Sequence, residues 1–156
     1  MKAKIIDGKK IAQNIREKLR KEVAQLVVHN GMPPKLVVIL VGDDPASKIY
    51  VKAKENACKD IGMDFELKHF FSHTPQNVII DEIHRMAKDN SVSGIIVQLP
   101  LPNQFEEAKI LSEIPPKKDV DGLHHENLGM FFAGEGDPLI SCTPQGVIEL
   151  IKSTGE

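Results

Sequence analysis

The sequence predicts an α/β domain of three layers, a parallel sheet with helices on both of its faces. Three observations carry that reading. Leu36-Val37-Val38-Ile39-Leu40-Val41 and Ile95-Ile96-Val97 are continuous, β-branched apolar runs, which suit strands buried on both faces. Stretches with helical periodicity separate one strand from the next. The alternation strand, helix, strand, helix, strand is then the pattern of a parallel sheet with its crossover helices packed against it.

Each element has its own local reason. Asp7 and Gly8 precede apolar residues at Ile11, Ile15, Leu19, Val23, Leu26 and Val27, so a first helix starts with Asp7 as N-cap and stops at Gly31. Pro33-Pro34 breaks that pattern before the first strand, Leu36 to Val41, which ends at Gly42. Asp43-Asp44-Pro45 opens a second helix with Pro45 in its first turn, running to Ile61 and stopped by Gly62. Phe65 to Phe71 forms the second strand. Thr74-Pro75 is a cap and first-position pair for a third helix carrying Val78, Ile79, Ile83 and Met86. Ile95 to Leu99 is the third strand, cut off by Pro100-Leu101-Pro102. A short helix over 105–111, a turn-rich segment over 115–122, a weak helix over 127–132 and a last helix opening at Thr143-Pro144 follow.

Composition excludes several classes of function. The chain has 156 residues, enough for one domain or one and a half, and a chain of this size hides roughly 68–70% of its unfolded surface without needing a disulfide or metal. Net charge of −2 gives no electrostatic case for nucleic acid or an anionic membrane as partner. Cys58 and Cys142 are isolated, and His29, His69, His73, His84, His124 and His125 have no metal-ligand spacing, so no metal is expected. The adjacent pair His124-His125 is expected at the surface. The N-terminus lacks a signal-peptide core and no apolar run approaches a membrane span, which makes the cytoplasm the expected compartment.

In open parallel sheets, ligands bind beyond the carboxyl ends of the strands. Three segments fall there: Gly42 to Ser47, Gln98 to Pro102, and the entry to the last helix near Cys142. On the second helix, Ala53, Ala57, Cys58 and Ile61 define an apolar arc, with Lys48, Lys52, Glu55 and Lys59 opposite. Tyr50 and Lys54 fall within the apolar arc, one turn apart. An inward lysine is either a snorkelling side chain with its head in water, or a desolvated base suited to moving protons near neutrality. Gln98 interrupts an apolar run, and a buried amide needs partners, structural or functional. Asp119 and Asp121 in Lys-Lys-Asp-Val-Asp-Gly are either turn formers or carboxylates able to read an N–H pair on a heterocycle. Gly134-x-Gly136 neither follows a strand nor opens a helix, so it is not a dinucleotide fingerprint.

Four motifs in order resemble one family: Val41-Gly42-Asp43-Asp44-Pro45-Ala46-Ser47-Lys48-Ile49-Tyr50-Val51-Lys52-Ala53-Lys54, Gly94-Ile95-Ile96-Val97-Gln98-Leu99-Pro100-Leu101-Pro102, Lys118-Asp119-Val120-Asp121-Gly122 and Cys142-Thr143-Pro144-Gln145-Gly146. The family is the bifunctional methylenetetrahydrofolate dehydrogenase/methenyltetrahydrofolate cyclohydrolase (FolD) family. The resemblance implies an aminoacid dehydrogenase-like N-terminal domain over 1–142, with 143–156 a helix toward an absent Rossmann-type NADP domain. It implies NADP-dependent oxidation of 5,10-methylene-tetrahydrofolate, hydrolysis of the methenyl product to 10-formyl-tetrahydrofolate, a link to purine biosynthesis, and a homodimer for the full-length protein. Lys54 would handle the proton in hydrolysis, Tyr50 would stack on the folate, and Gln98 would hold Lys54. Asp121 would bind the pterin, Val97, Leu99 and Pro100 would line the pocket, and Thr143 would touch the cofactor. Ser141 and Leu123 stand where the family often has proline and phenylalanine.

Three rival readings bear on the same residues. Tyr50-x-x-x-Lys54 matches the catalytic spacing of short-chain oxidoreductases, but the turn Gly42-Asp43-Asp44-Pro45 is not glycine-rich. A receiver-like signalling module would use Asp43-Asp44 to hold a metal, yet Gln98 and Pro100 stand where it needs another Asp. The third is a folate-binding fragment without catalysis.

Overall fold

The computed structural model describes residues 5–155; residues 1–4 and Glu156, which fall inside the domain limits given above, lie outside the described part. Three strands form one parallel sheet, β1 (Lys35–Val41), β2 (Asp64–Phe70) and β3 (Val92–Val97), in the order β2-β1-β3. The helices are α1 (Gly8–Asn30), α2 (Pro45–Ile61), α3 (Gln76–Lys88), α4 (Glu107–Ser112), α5 (His125–Ala133) and α6 (Cys142–Lys152), with a 3-10 turn at Pro116–Lys118.

The central strand explains the layering. Alternate residues of β1 point to opposite faces. Val37, Ile39 and Val41 join Ile79, Ile83 and Met86 of α3 on one side. Val38 and Leu40 join Val51 of α2 and Ile96 on the other. A strand buried on both faces has no polar position to offer, which is why its sequence from Leu36 to Val41 is uniformly apolar. Edge strand β2 alternates instead, and Lys68 pairs with Glu66 at 2.6 Å and with Glu82 of α3 at 3.2 Å. The three-layer architecture is as expected.

Local details differ from the sequence reading. Asp7 caps α1 by accepting from Lys10 N, and Asp44 caps α2 by accepting from Ser47 N at 2.7 Å, both as expected. The cap of α3 is Pro75 rather than Thr74, with no side-chain bond. β3 ends at Val97, so Gln98 and Leu99 lie just past the strand; Gln98 N still donates to Ile39 O and extends the ladder by one bond. α4 starts at Glu107, α5 starts at His125, and α6 opens at Cys142 with Ser141 as its cap. α1 lies chiefly on α2, anchored by Arg16 and Arg20 to Asp60, so only Val23 of its apolar stripe is fully buried. His124 is buried rather than at the surface, because its Nδ1 accepts from Glu126 N at the start of α5. His125 is exposed, its ring tilted over that of His124.

The buried stripe of α2 is Ser47, Val51, Cys58 and Ile61. Ala53, expected inside, is exposed. The helix is therefore turned toward Ser47 and Val51 relative to the expected arc, which leaves Lys54 at the centre of the inward stripe and moves Tyr50 to its margin. On the outer face Lys52 and Lys59 bracket Glu55 at 2.8 and 2.7 Å and hold its carboxyl down at about 2.

Candidate active site

Lys54 and Gln98 meet at the carboxyl end of the sheet. The Lys54 ammonium donates to Gln98 Oε1 at 2.8 Å, while Gln98 Nε2 donates to Leu99 O at 2.7 Å. Gln98 is only 9% exposed. Its amide is thus engaged at both ends, with one N–H held by the backbone and the oxygen turned toward the lysine. Lys54 is half-buried, and its ammonium is spent on the Gln98 amide oxygen.

Asp121 completes the cluster. Burial pushes its carboxyl above the ordinary range, the Lys54 charge pulls it back, and the neighbouring Asp119 charge adds to the rise. The Cys142 thiol, at the first residue of α6, donates to Val120 O at 3.2 Å. The residue is exposed overall, yet desolvation on its inner side and the Asp121 charge raise the proton affinity of that thiol.

The raised proton affinity of Asp121 has a sign that can be measured. A carboxyl that titrates higher folded than unfolded binds the extra proton in the folded state. Its ionised form therefore works against folding above the folded value, and stability is regained as pH falls from there toward the unfolded value. Asp121→Asn should accordingly melt at a higher temperature than the parent at pH 7, with the difference shrinking on acidification. A lower melting temperature at pH 7 would contradict this account of burial.

The other expected residues divide. Tyr50 sits one helical turn before Lys54 with 62% of its surface exposed, open to stacking. Leu99 is half-buried against the α3-side core, and Pro100, joined to it by a cis bond, is exposed. Val97 is buried in that core, so its side chain offers a pocket no surface. Thr143 is exposed on the first turn of α6 and lines a concavity of about 730 Å3 between α6 and α1, with Ile11, Ile15 and Leu150.

Two alternatives close here. Asp119 is not aimed at a ligand: at 2% exposure its Oδ2 accepts from His124 N and Asn127 Nδ2. Asn127, which nothing in the sequence singles out, is its partner; one asparagine in the first turn of a short helix gives no spacing signal. Asp43 pairs with Lys48 at 2.7 Å and Asp44 caps α2, so neither is free to hold a receiver's metal. Among the described residues, no group of His, Cys, Asp and Glu could hold a metal ion, and no helix is long and apolar enough to cross a membrane.

A family model described as tetrahydrofolate dehydrogenase/cyclohydrolase, catalytic domain, matches residues 6–121. The chain belongs to that family. Curated relatives agree: it is 46% identical over 152 residues to the bifunctional protein FolD of Staphylococcus epidermidis, covering 97% of this chain and 52% of that one. With the bifunctional protein FolD of Acetivibrio thermocellus it shares 44% over 155 residues, 99% of this chain and 54% of the relative. The chain thus spans about half the length of the curated relatives it matches. Among solved structures, the bifunctional enzyme FolD of Campylobacter jejuni superposes with a TM-score of 0.93 at 39% identity, covering 97% of this chain and 54% of that one. The methylenetetrahydrofolate dehydrogenase-cyclohydrolase of Trypanosoma brucei, solved with NADP cofactor and an inhibitor, gives 0.93 at 33% identity, covering 99% and 52%.

Proposed function

We propose that this chain is the folate-binding, proton-handling half of an enzyme that oxidises 5,10-methylene-tetrahydrofolate with NADP and hydrolyses 5,10-methenyl-tetrahydrofolate to 10-formyl-tetrahydrofolate. The observation that carries the reading is the 2.8 Å bond from Lys54 Nζ to Gln98 Oε1, on a helix centre where an ammonium has no packing reason to be. In hydrolysis, water adds to the cationic methenyl carbon and loses a proton; the carbon–nitrogen bond to one ring nitrogen then breaks, and that nitrogen gains a proton. Lys54 would carry the proton between those positions, and its bond to Gln98 supports that role by holding the ammonium in one place. Such general acid–base help is worth about 10²–10⁴ in rate. Asp121 would accept two N–H bonds from the pterin, and Tyr50 would cover the pterin face.

The cofactor belongs elsewhere. When bound, NADP accepts the hydride. The residues present do not fit its phosphates: the β1–α2 turn presents Asp43 and Asp44, and Gly134-x-Gly136 follows helix α5. Thr143 on α6 is the one contact proposed from this chain, with 1–142 as the folate domain and α6 as the connector to a cofactor domain. The relatives' greater length supports that division. For the full-length protein we propose a cytoplasmic homodimer whose product supplies purine synthesis.

The test pairs two assays on the 156-residue chain. Titration with tetrahydrofolate should show saturable but weak binding, because the 156 residues tested span about half the length of the relatives. Methylene-tetrahydrofolate with NADP should give no absorbance change. Clean NADP-dependent turnover would overturn the division of labour, and absence of folate binding would overturn the reading itself.

A further inference from the structure

We infer that Asp119 and Asn127 are positioning residues, a buried hub that fixes the Asp121 loop and the entry to α6 as one unit without either touching a ligand. The identity of the ligand rests on the folate reading above; the hub rests on geometry alone. Asn127 is 3% exposed, and its side chain joins three separate stretches of chain. Nδ2 donates to Asp119 Oδ2 and to Pro116 O, both at 3.0 Å, and Oδ1 accepts from Leu139 N at 3.3 Å. Asp119 Oδ2 also accepts from His124 N at 2.8 Å, and its backbone bridges to Ile95 of β3. Buried polar groups of this kind are costly to leave half-satisfied, so the network holds one arrangement.

What that arrangement holds is specific. Between Asp119 and His124 run the residues carrying Asp121, and Leu139 leads directly into Ser141 and Cys142. A Cβ on Gly122 would come within 2.5 Å of Ser141 N and 2.6 Å of Ile140 C, so the two stretches touch backbone to backbone. The Cys142 thiol closes the far side on Val120 O. Asp121 is therefore pinned from before, behind and across, and its half-buried carboxylate stays within reach of the Lys54 charge. The charged and titratable groups facing it are Lys54 from α2, Asp119 from its own loop and Cys142 from α6.

The test is a double-mutant cycle with two readouts. Asn127→Ala should weaken tetrahydrofolate binding roughly tenfold in the parent, the scale of one lost hydrogen bond to a charged group. It should weaken it no further in an Asp121→Ala background, because the hub acts through that carboxylate. Independently of any ligand, carboxyl ¹³C titration of Asp121 should move toward the ordinary aspartate value as burial relaxes. Ile79→Val, a buried core truncation on α3, should leave both readouts in place and so separates positioning from general loosening. Should Asn127→Ala not fold, Asn127→Ser serves in its stead. An unmoved Asp121 titration, or losses that add fully across the cycle, would overturn the hub. If the parent binds no folate, the titration alone decides the hub, and only the functional reading falls.

Discussion

Lys54→Met should reduce hydrolysis of 5,10-methenyl-tetrahydrofolate by at least about 10²–10⁴-fold while leaving folate affinity within a few-fold of the parent. Methionine keeps the length and apolar character of the stem and removes only the ammonium. Because that group donates to Gln98 Oε1 at 2.8 Å, the substitution removes the proton carrier and frees the amide oxygen without opening a cavity. Decay of the methenyl absorbance gives the rate, and titration gives the affinity. Full hydrolytic turnover by the variant would sink the assignment of Lys54. Loss of binding in step with turnover would instead make the lysine a binding group.

The largest structural effect is expected at Gly122. Its φ of +66° lies in the left-handed region, where a side chain costs on the order of 1–2 kcal/mol. The added Cβ also meets backbone atoms of residues 139–141 at 2.5–2.8 Å, and backbone cannot swing aside as a flexible side chain can. Gly122→Ala should therefore lose more than about 3 kcal/mol, seen as a fall in melting temperature of more than about 8 °C. Folate binding should weaken as well, since the loop that must shift carries Asp121. A variant that melts within a degree or two of the parent would show that the two stretches are not truly clamped. Gly94 is a related close approach, with Val120 Cγ1 only 2.5 Å from where its Cβ would lie. There the obstacle is a side chain that can move, and the cost should be smaller.

The elements that were legible in the sequence are those set by local chemistry. Asp44-Pro45 starts α2 and Gly62 ends it because the cap, the proline ring and the left-handed glycine act within one turn of chain. β1 is legible because burial on both faces leaves no polar position. Lys54 stood out for the same reason, as one charge in a stripe that otherwise packs. Thr74 and Ala53 were misplaced because capping strength and helix rotation depend on what the helix rests against, and neighbours in space are invisible in a periodicity.

The sequence by itself determined the three layers and marked Lys54 and Gln98 as polar groups out of place near one end of the sheet; the spacing of residues along single elements suffices for that. Only the tertiary structure decided which of two nearby aspartates is sealed in the interior. Asp119 and Asp121 stand in the same turn and read alike, yet one is sealed against Asn127 and His124 while the other lies beside Lys54 and Cys142. That distinction arises because burial and hydrogen-bond satisfaction are properties of segments brought together from 95, 116, 127 and 139, and no local pattern encodes their meeting.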